Sequence, residues 1–282
     1  MPELPDLLHI VARLQEALPG SVVQGERVRE PVVLRYTVHG NLSLLLGRVL
    51  ERVERKSHFV VLRFQGLDLA INPMLAGRFR LPPPGTKDEA ALAFALVLAR
   101  PGGGEIELRY LDDKKMGKAY LIAPGDWKSI PAFPAGGTDI LSPEFTPERF
   151  KSLLRHRRDQ VRVFLMDKKA LDSIGNAYAD EILFEARIHP KTWCRSLGPE
   201  EAERLYTAVK TVMGEAAAEV ARRNEPIDVK VRDFLKVRLK TDCPRCGSRL
   251  RTAGVHGMDA YFCPTCQPAT RPGFVDWTRT GR

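Results

Sequence analysis

The chain has 282 residues, 44% of them hydrophobic and 28% charged, with a net charge of +9 and a sequence pI of about 9.4. This length and composition exclude a fibrous or disordered chain and allow two domains, each with its own core. No apolar run approaches the roughly 18 residues that cross a bilayer, and the positive balance favours polyanionic partners such as nucleic acid.

The amino terminus reads MPELPDLLHI. No basic region precedes an apolar stretch there, so no secretory signal is expected and the cytosol is the expected compartment. Leu7, Ile10, Leu14 and Leu18 recur at helical spacing and predict a first helix. Pro5 and Asp6 suit its first turn, where a missing N–H is harmless and an acid meets the positive helix end. Pro2 and Glu3 stand before that helix without a structural task. Residues 48–64, 67–81, 104–113 and 117–123 carry β-branched and aromatic runs with partial alternation, and the stretches PPPG and PGGG punctuate them. A β-sandwich flanked by one helix is therefore predicted for the first 135 residues.

The Pro/Gly-rich segment 130–143 reads as a linker. Beyond it the texture is helical. Thr146 and Pro147 are placed as N-cap and first helical residue of a helix over 146–158, which ends in the basic run RHRR. Leu205, Val209, Val212, Ala216 and Val220 share one face of a helix over 199–223. Between them, SIGNAYADEILFEARIHP (173–190) predicts a Gly-Asn turn and a helix from about 178 to 187. Gly175, its neighbouring amides and the Asn176 side chain form a candidate phosphate contact; a plain loop-to-helix junction is the other reading of the same residues. Residues 230–251 hold eight lysines and arginines against Asp233 and Asp242, a dense basic stretch.

Four of the five cysteines fall in CPRC and CPTC, placing Cys243, Cys246, Cys263 and Cys266 at C-x₂-C-x₁₆-C-x₂-C spacing. Four thiolates so arranged surround one tetrahedral Zn²⁺, with a rubredoxin-like iron as the alternative occupant. Four sulfurs leave no coordination position open to a substrate, so the expected role is structural: the ion secures a small hairpin over 249–262. Disulfides are disfavoured in the expected compartment. Cys194, in KTWCRS, has no base or ligand spacing around it and is read as a partly buried thiol without a role.

Three separated stretches, PELPD, IGNAYADEILFEARIHP and YFCPTCQ, closely resemble the formamidopyrimidine-DNA glycosylase/endonuclease VIII family over essentially the whole chain. The resemblance implies a two-lobed α+β architecture: an N-terminal β-sandwich (1–135), a helix-two-turns-helix module (136–238), and a Cys₄ zinc-finger hairpin with a tail (239–282). It implies a monomeric base-excision-repair enzyme acting on double-stranded DNA with damaged bases or abasic sites, bound in the cleft between the lobes. Pro2, freed by removal of Met1, would be the amine nucleophile and Glu3 its acid/base partner, with Lys56 on a phosphate near the lesion. An α-amine, with a reference pKa of about 7.7–8.0, is more available as a free base near neutrality than a lysine at about 10.4. Met74, Lys114 and Met116, with Lys115 between the last two, would fill the space left by an everted nucleotide, and Asn176 would bind phosphate.

The chain departs from the family pattern at several of these places. Lys114-Lys115-Met116 stands where members with a purine-lesion preference have Arg-Arg-Phe, and Met258 replaces a phosphate-clamping arginine. The approach to Cys243 lacks the longer Gly-rich segment that caps an oxidised purine, and Asp6 and Ser173 replace a glutamate and a glycine. These departures bear on which lesion is read, leaving 8-oxoguanine, formamidopyrimidines and oxidised pyrimidines open. They do not touch Pro2 or Glu3. An abasic-site lyase with weak glycosylase activity and a non-catalytic binder of damaged DNA are the alternatives.

Overall fold

The computed structural model describes residues 2–36, 41–131, 133 and 137–269. They fall into two compact units, one of residues 1–133 with 217–231 and one of residues 134–216 with 232–282.

The first unit opens with helix α1 (Leu4–Ala17), whose N-cap is Glu3. Among the described residues nine strands follow: β1 (Val22–Val28), β2 (Leu34–Tyr36), β3 (Leu50–Lys56), β4 (Phe59–Phe64), β5 (Leu67–Asn72), β6 (Arg78–Arg80), β7 (Leu92–Ala99), β8 (Glu105–Leu111) and β9 (Lys118–Ile122). They form a four-stranded sheet in the order β1-β7-β8-β6 and a five-stranded sheet in the order β2-β9-β5-β4-β3. All neighbours are antiparallel except β2 and β9. Val23, Phe94, Leu96 and Leu108 of the first sheet share one core with Leu62, Leu69, Ile71 and Leu121 of the second, which makes the pair a sandwich. Helix α1 packs on β3 and β4 and adds Leu7, Ile10 and Leu14 to the same core.

Strand β7 has no counterpart among the predicted strands. Its sequence LAFALVLA lacks the alternation that marks a half-exposed strand, because it is paired on both edges and buried almost throughout. Phe94, Leu96 and Leu98 enter the main core, while Ala95 packs with Leu92 and Leu111.

Residues 217–231 join this unit through three kinds of contact. Ile227 packs on the core, His9 Nε2 lies 2.8 Å from the Glu225 carbonyl, and Arg80 Nε lies 3.1 Å from Asp228 Oδ2.

The second unit contains helices α2 (Pro147–Arg155), α3 (Val161–Met166) and α4 (Asn176–Ala186), most of α5 (Pro199–Arg223), and the hairpin β10 (Arg251–Val255)–β11 (Met258–Phe262). Thr146 caps α2 as its sequence predicts, accepting from Arg149 N at 3.2 Å. Helix α4 begins at Asn176, two residues before the predicted start, and ends on Arg187 in the left-handed conformation at φ 58°. The hairpin turns through His256 (φ 47°) and Gly257 (φ 73°), the positive pair that suits a tight two-residue connection.

Candidate active site and metal centre

In the first unit, Pro2 is buried immediately before α1. The Asp6 carboxylate, also buried, accepts from the Glu3 amide at 2.8 Å, and the Glu3 carbonyl accepts from Leu7 N at 3.0 Å. These bonds fix the backbone leaving Pro2 at the positive end of the helix. A pocket opens on Pro2, with Asp6, His9, Arg78, Asp228 and Lys230 among its walls. His9 donates from Nε2 to the Glu225 carbonyl, since a carbonyl only accepts; in the neutral ring this leaves Nδ1 as the acceptor. Asp228 is engaged by Arg80, whereas the buried Nε of Arg78 has no protein partner among the described residues. Lys230 Nζ reaches the Leu75 carbonyl at 3.5 Å. Lys56 does not line this pocket. It ends β3 beside Ser57, a residue in the left-handed region, with Nζ 5.9 Å from the Trp127 ring centre.

Two loops of the same unit carry the other singled-out side chains. Met74 (φ 47°) is half-buried in the turn between β5 and β6, where its amide donates to Asn72 Oδ1 at 3.0 Å. Its neighbour Leu75 is 56% exposed, an apolar tip that sequence reasoning passed over. Between β8 and β9, Lys114, Lys115 and Met116 are all exposed, and Lys115 Nζ pairs with Glu30 at 2.9 Å.

In the second unit, Asn176 is the first residue of α4 and its Oδ1 accepts from Arg162 Nη2. Arg162 is fully buried and also binds Asp180 Oδ1 (2.8 Å) and the Asp259 carbonyl (3.1 Å). Arg238 binds the other Asp180 oxygen (2.7 Å) and the same carbonyl (3.2 Å). One turn of α4, with Asp180 at its centre, therefore fixes Asn176 and the start of β11, where Met258 is 40% exposed. The adjacent Glu181 carboxylate accepts the amides of Lys236, Val237 and Arg238 at 2.7–3.0 Å, ordering the basic segment that leads to Cys243. Arg162, Asp180, Glu181 and Arg238 carry no local sequence signal; a buried acid on a helix pairs with a partner that only the fold brings near.

The sulfur atoms of Cys243, Cys246, Cys263 and Cys266 all lie within 4.8 Å of one another, with Cys243–Cys266 at 3.9 Å and Cys246–Cys263 at 3.5 Å. A tetrahedral ion with Zn–S near 2.3 Å spaces its sulfurs by about 3.8 Å, so these residues fit a Cys₄ metal. The amides of Arg245 and Cys266 each point to a sulfur at 3.4 Å, which supports thiolate charge at the two knuckles. Gln267, fully buried, binds Cys263 N through Oε1 (2.9 Å) and the Ile188 carbonyl through Nε2 (2.8 Å), so the knuckle is tied to the end of α4.

Family models match the chain in three blocks: the formamidopyrimidine-DNA glycosylase N-terminal domain over residues 1–119, its H2TH domain over 137–224, and the zinc finger found in FPG and IleRS over 243–269. The formamidopyrimidine-DNA glycosylase of Thermomicrobium roseum is 32% identical, across 95% of this chain and 99% of its own length. The chain belongs to the formamidopyrimidine-DNA glycosylase family. The crystal structure of the MutM (FPG) protein from Thermus thermophilus matches with a TM-score of 0.81 at 30% identity, covering 94% of this chain and 98% of that one. A Lactococcus lactis Fpg structure with abasic-site DNA has a TM-score of 0.85 at 21% identity, covers 95% of this chain and 100% of that one, and shares the fold. The α+β class, the sandwich, the helical H2TH region and the cysteine hairpin are thus those expected of a formamidopyrimidine-DNA glycosylase, a DNA-repair glycosylase fold with a zinc finger. No helix among the described residues is long and apolar enough to cross a membrane.

Proposed function

We propose that this glycosylase family member removes oxidised bases from double-stranded DNA and then cleaves the strand itself, with Pro2 as the nucleophile. The observation that carries the reading is the setting of Pro2. It stands at the positive end of α1, in a pocket with Arg78 and Lys230, while Asp6 is committed to the Glu3 amide. The helix end, Arg78 and Lys230 favour the neutral amine over the ammonium, which is what a nitrogen nucleophile requires, and the second acid of the same pocket, Asp228, is paired with Arg80.

Once Met1 is removed, the Pro2 nitrogen adds to C1′ of the damaged nucleotide as the C1′–N bond to the base breaks, and the base departs with the proton that the nitrogen gives up. Glu3 protonates the ring oxygen as the sugar opens, leaving an iminium between Pro2 and C1′. This cation acidifies C2′. Loss of a C2′ proton expels the 3′ phosphate by β-elimination, and loss of a C4′ proton then expels the 5′ phosphate by δ-elimination. The base must leave the stack for C1′ to be reached. Met74, Lys114 and Met116 fill the gap, with Lys115 and Met258 beside the same DNA, and Lys56 and Asn176 hold phosphates. One Zn²⁺ ion in the four-cysteine site holds the hairpin in its DNA-binding shape. Lactococcus lactis Fpg has been solved with abasic-site DNA and with DNA containing an oxidised pyrimidine, which supports a damaged-DNA partner. We take the working form to be a monomer in the cytoplasm, associated with the nucleoid when bound to DNA.

Borohydride reduction of the protein mixed with oligonucleotides carrying an abasic site, 8-oxoguanine or an oxidised pyrimidine tests this. A covalent adduct is expected with the abasic site and at least one oxidised base, and Pro2→Gly is expected to abolish it. An adduct with the abasic site alone would favour a lyase with weak glycosylase activity. Tight binding without any adduct would leave a non-catalytic binder.

A further inference from the structure

Tyr110, at the end of β8, is fully buried with its ring against Phe79 (5.4 Å) and Phe94 (5.2 Å). Its hydroxyl has no protein hydrogen-bond partner among the described residues, although it is not in solvent. It lies where two loops close. A Cβ on Gly77 would come within 2.2 Å of that oxygen, and a Cβ on Gly117 within 1.9 Å. Gly77 ends the turn that carries Met74 and is tied to its start by a 2.8 Å bond from Gly77 N to the Pro73 carbonyl. Gly117 ends the turn that carries Lys114, Lys115 and Met116. Asp112, buried at the start of that turn, accepts Gly117 N on Oδ2 at 2.6 Å and Lys114 N on Oδ1 at 3.1 Å.

We propose that Tyr110 is a positioning residue that locks the two wedge-bearing loops at one fixed separation, with Asp112 folding the second loop onto it. The inference rests on the reading of Met74 and Met116 as the side chains that enter the helix. The phenol oxygen fills the space that both glycines leave open, so neither loop base can shift without meeting it. A hydroxyl kept unpaired in the interior is unfavourable for stability, and a phenylalanine would fill the same aromatic site without it. That Tyr110 carries the oxygen between the loops points to a task in setting their spacing. Two side chains that probe a duplex from separate loops must enter together, and a misplacement near 1 Å at a working site costs on the order of 100-fold.

The test uses the full-length protein and two probes: a duplex with 2-aminopurine opposite an abasic site, whose fluorescence rises as the base unstacks, and a single-stranded abasic oligonucleotide for borohydride trapping. Tyr110→Phe is expected to keep or raise the unfolding temperature and to trap the single strand within about twofold of wild type, since neither depends on loop spacing. It is expected to slow the fluorescence rise on the duplex by about tenfold. Asp112→Asn, which loses one of the two amide contacts, should act in the same direction. Met74→Ala and Met116→Ala should each slow the rise in the wild-type background, and their joint effect should differ from the product of the two only while Tyr110 is present. Wild-type fluorescence kinetics in Tyr110→Phe, with both Met variants impaired, would overturn the role of Tyr110 alone. Unimpaired kinetics in both Met variants would instead remove the wedge reading, and this proposal with it.

Discussion

Cys194 shows how one residue's surroundings separate it from four others of its kind. It is buried in the second unit, its thiol 3.9 Å from Asp159 Oδ1, and burial followed by that carboxylate pushes its pKa up to about 12. At pH 8 only about one Cys194 in 10⁴ is a thiolate, so it is a poor nucleophile and a poor metal ligand. A disulfide-exchange reagent is expected to modify four thiols once the metal is chelated, and a fifth only after denaturation; a fifth fast-reacting thiol in the folded protein would contradict the burial. The same shift gives stability a sign. The folded thiol holds its proton longer than the unfolded one, so its contribution is intact below the unfolded value near 9 and is lost as pH rises toward 12.

At the scale of elements, α4 buries apolar residues on most sides, from Tyr178 to Ala186, and two acids among them organise its neighbours. Asp180 sits between the guanidiniums of Arg162 and Arg238, and Glu181 gathers three successive amides. Arg162→Met keeps the volume but leaves Asp180 and the Asp259 carbonyl with Arg238 as their one arginine partner and takes the guanidinium contact from Asn176. Removing one member of a buried pair costs about 3–5 kcal/mol, and a loss of that size is expected in denaturant unfolding. DNA affinity should fall with it if Asn176 holds phosphate; a change under about 1 kcal/mol would show that the site rehydrates. The cysteine hairpin depends on its ion in a more complete way. The cysteines pack with little more than Phe184, Val237 and Leu250, so Cys246→Ser or strong chelation is expected to undo the knuckles that close the hairpin and abolish DNA binding. The sandwich should keep its strand circular dichroism, because its core lies within the other unit.

Across the whole molecule, charge is the first property a nucleic-acid partner meets. The chain carries a net +9, concentrated over residues 230–251, and several of these arginines are already bound within the protein, Arg238 to Asp180 and Arg245 to the Phe184 carbonyl. Only a part of the surplus is left for phosphates. If six or so cations displace counterions, affinity for a duplex is expected to fall by about 10³ between 50 and 200 mM salt. A flat salt dependence in a filter or anisotropy titration would rule out a phosphate-dominated interface.

What was legible in the sequence was whatever chemistry fixes at short range. Four cysteines in two C-x₂-C pairs specify a tetrahedral site, Thr146-Pro147 a helix start, and Pro5-Asp6 the first turn of α1; each needs only neighbours in the chain. The almost wholly buried β7 was harder to read, because a strand with so little exposed surface has no alternation to show. What only the tertiary structure decided are meetings between residues far apart in sequence. Arg162 reaches Asp180 and Asp259, the Tyr110 hydroxyl stands between Gly77 and Gly117, and residues 217–231 return to His9 and the Pro2 pocket. The physical reason is that burial makes such partners necessary, while nothing local to a charge or a hydroxyl says which distant group the fold will bring to it.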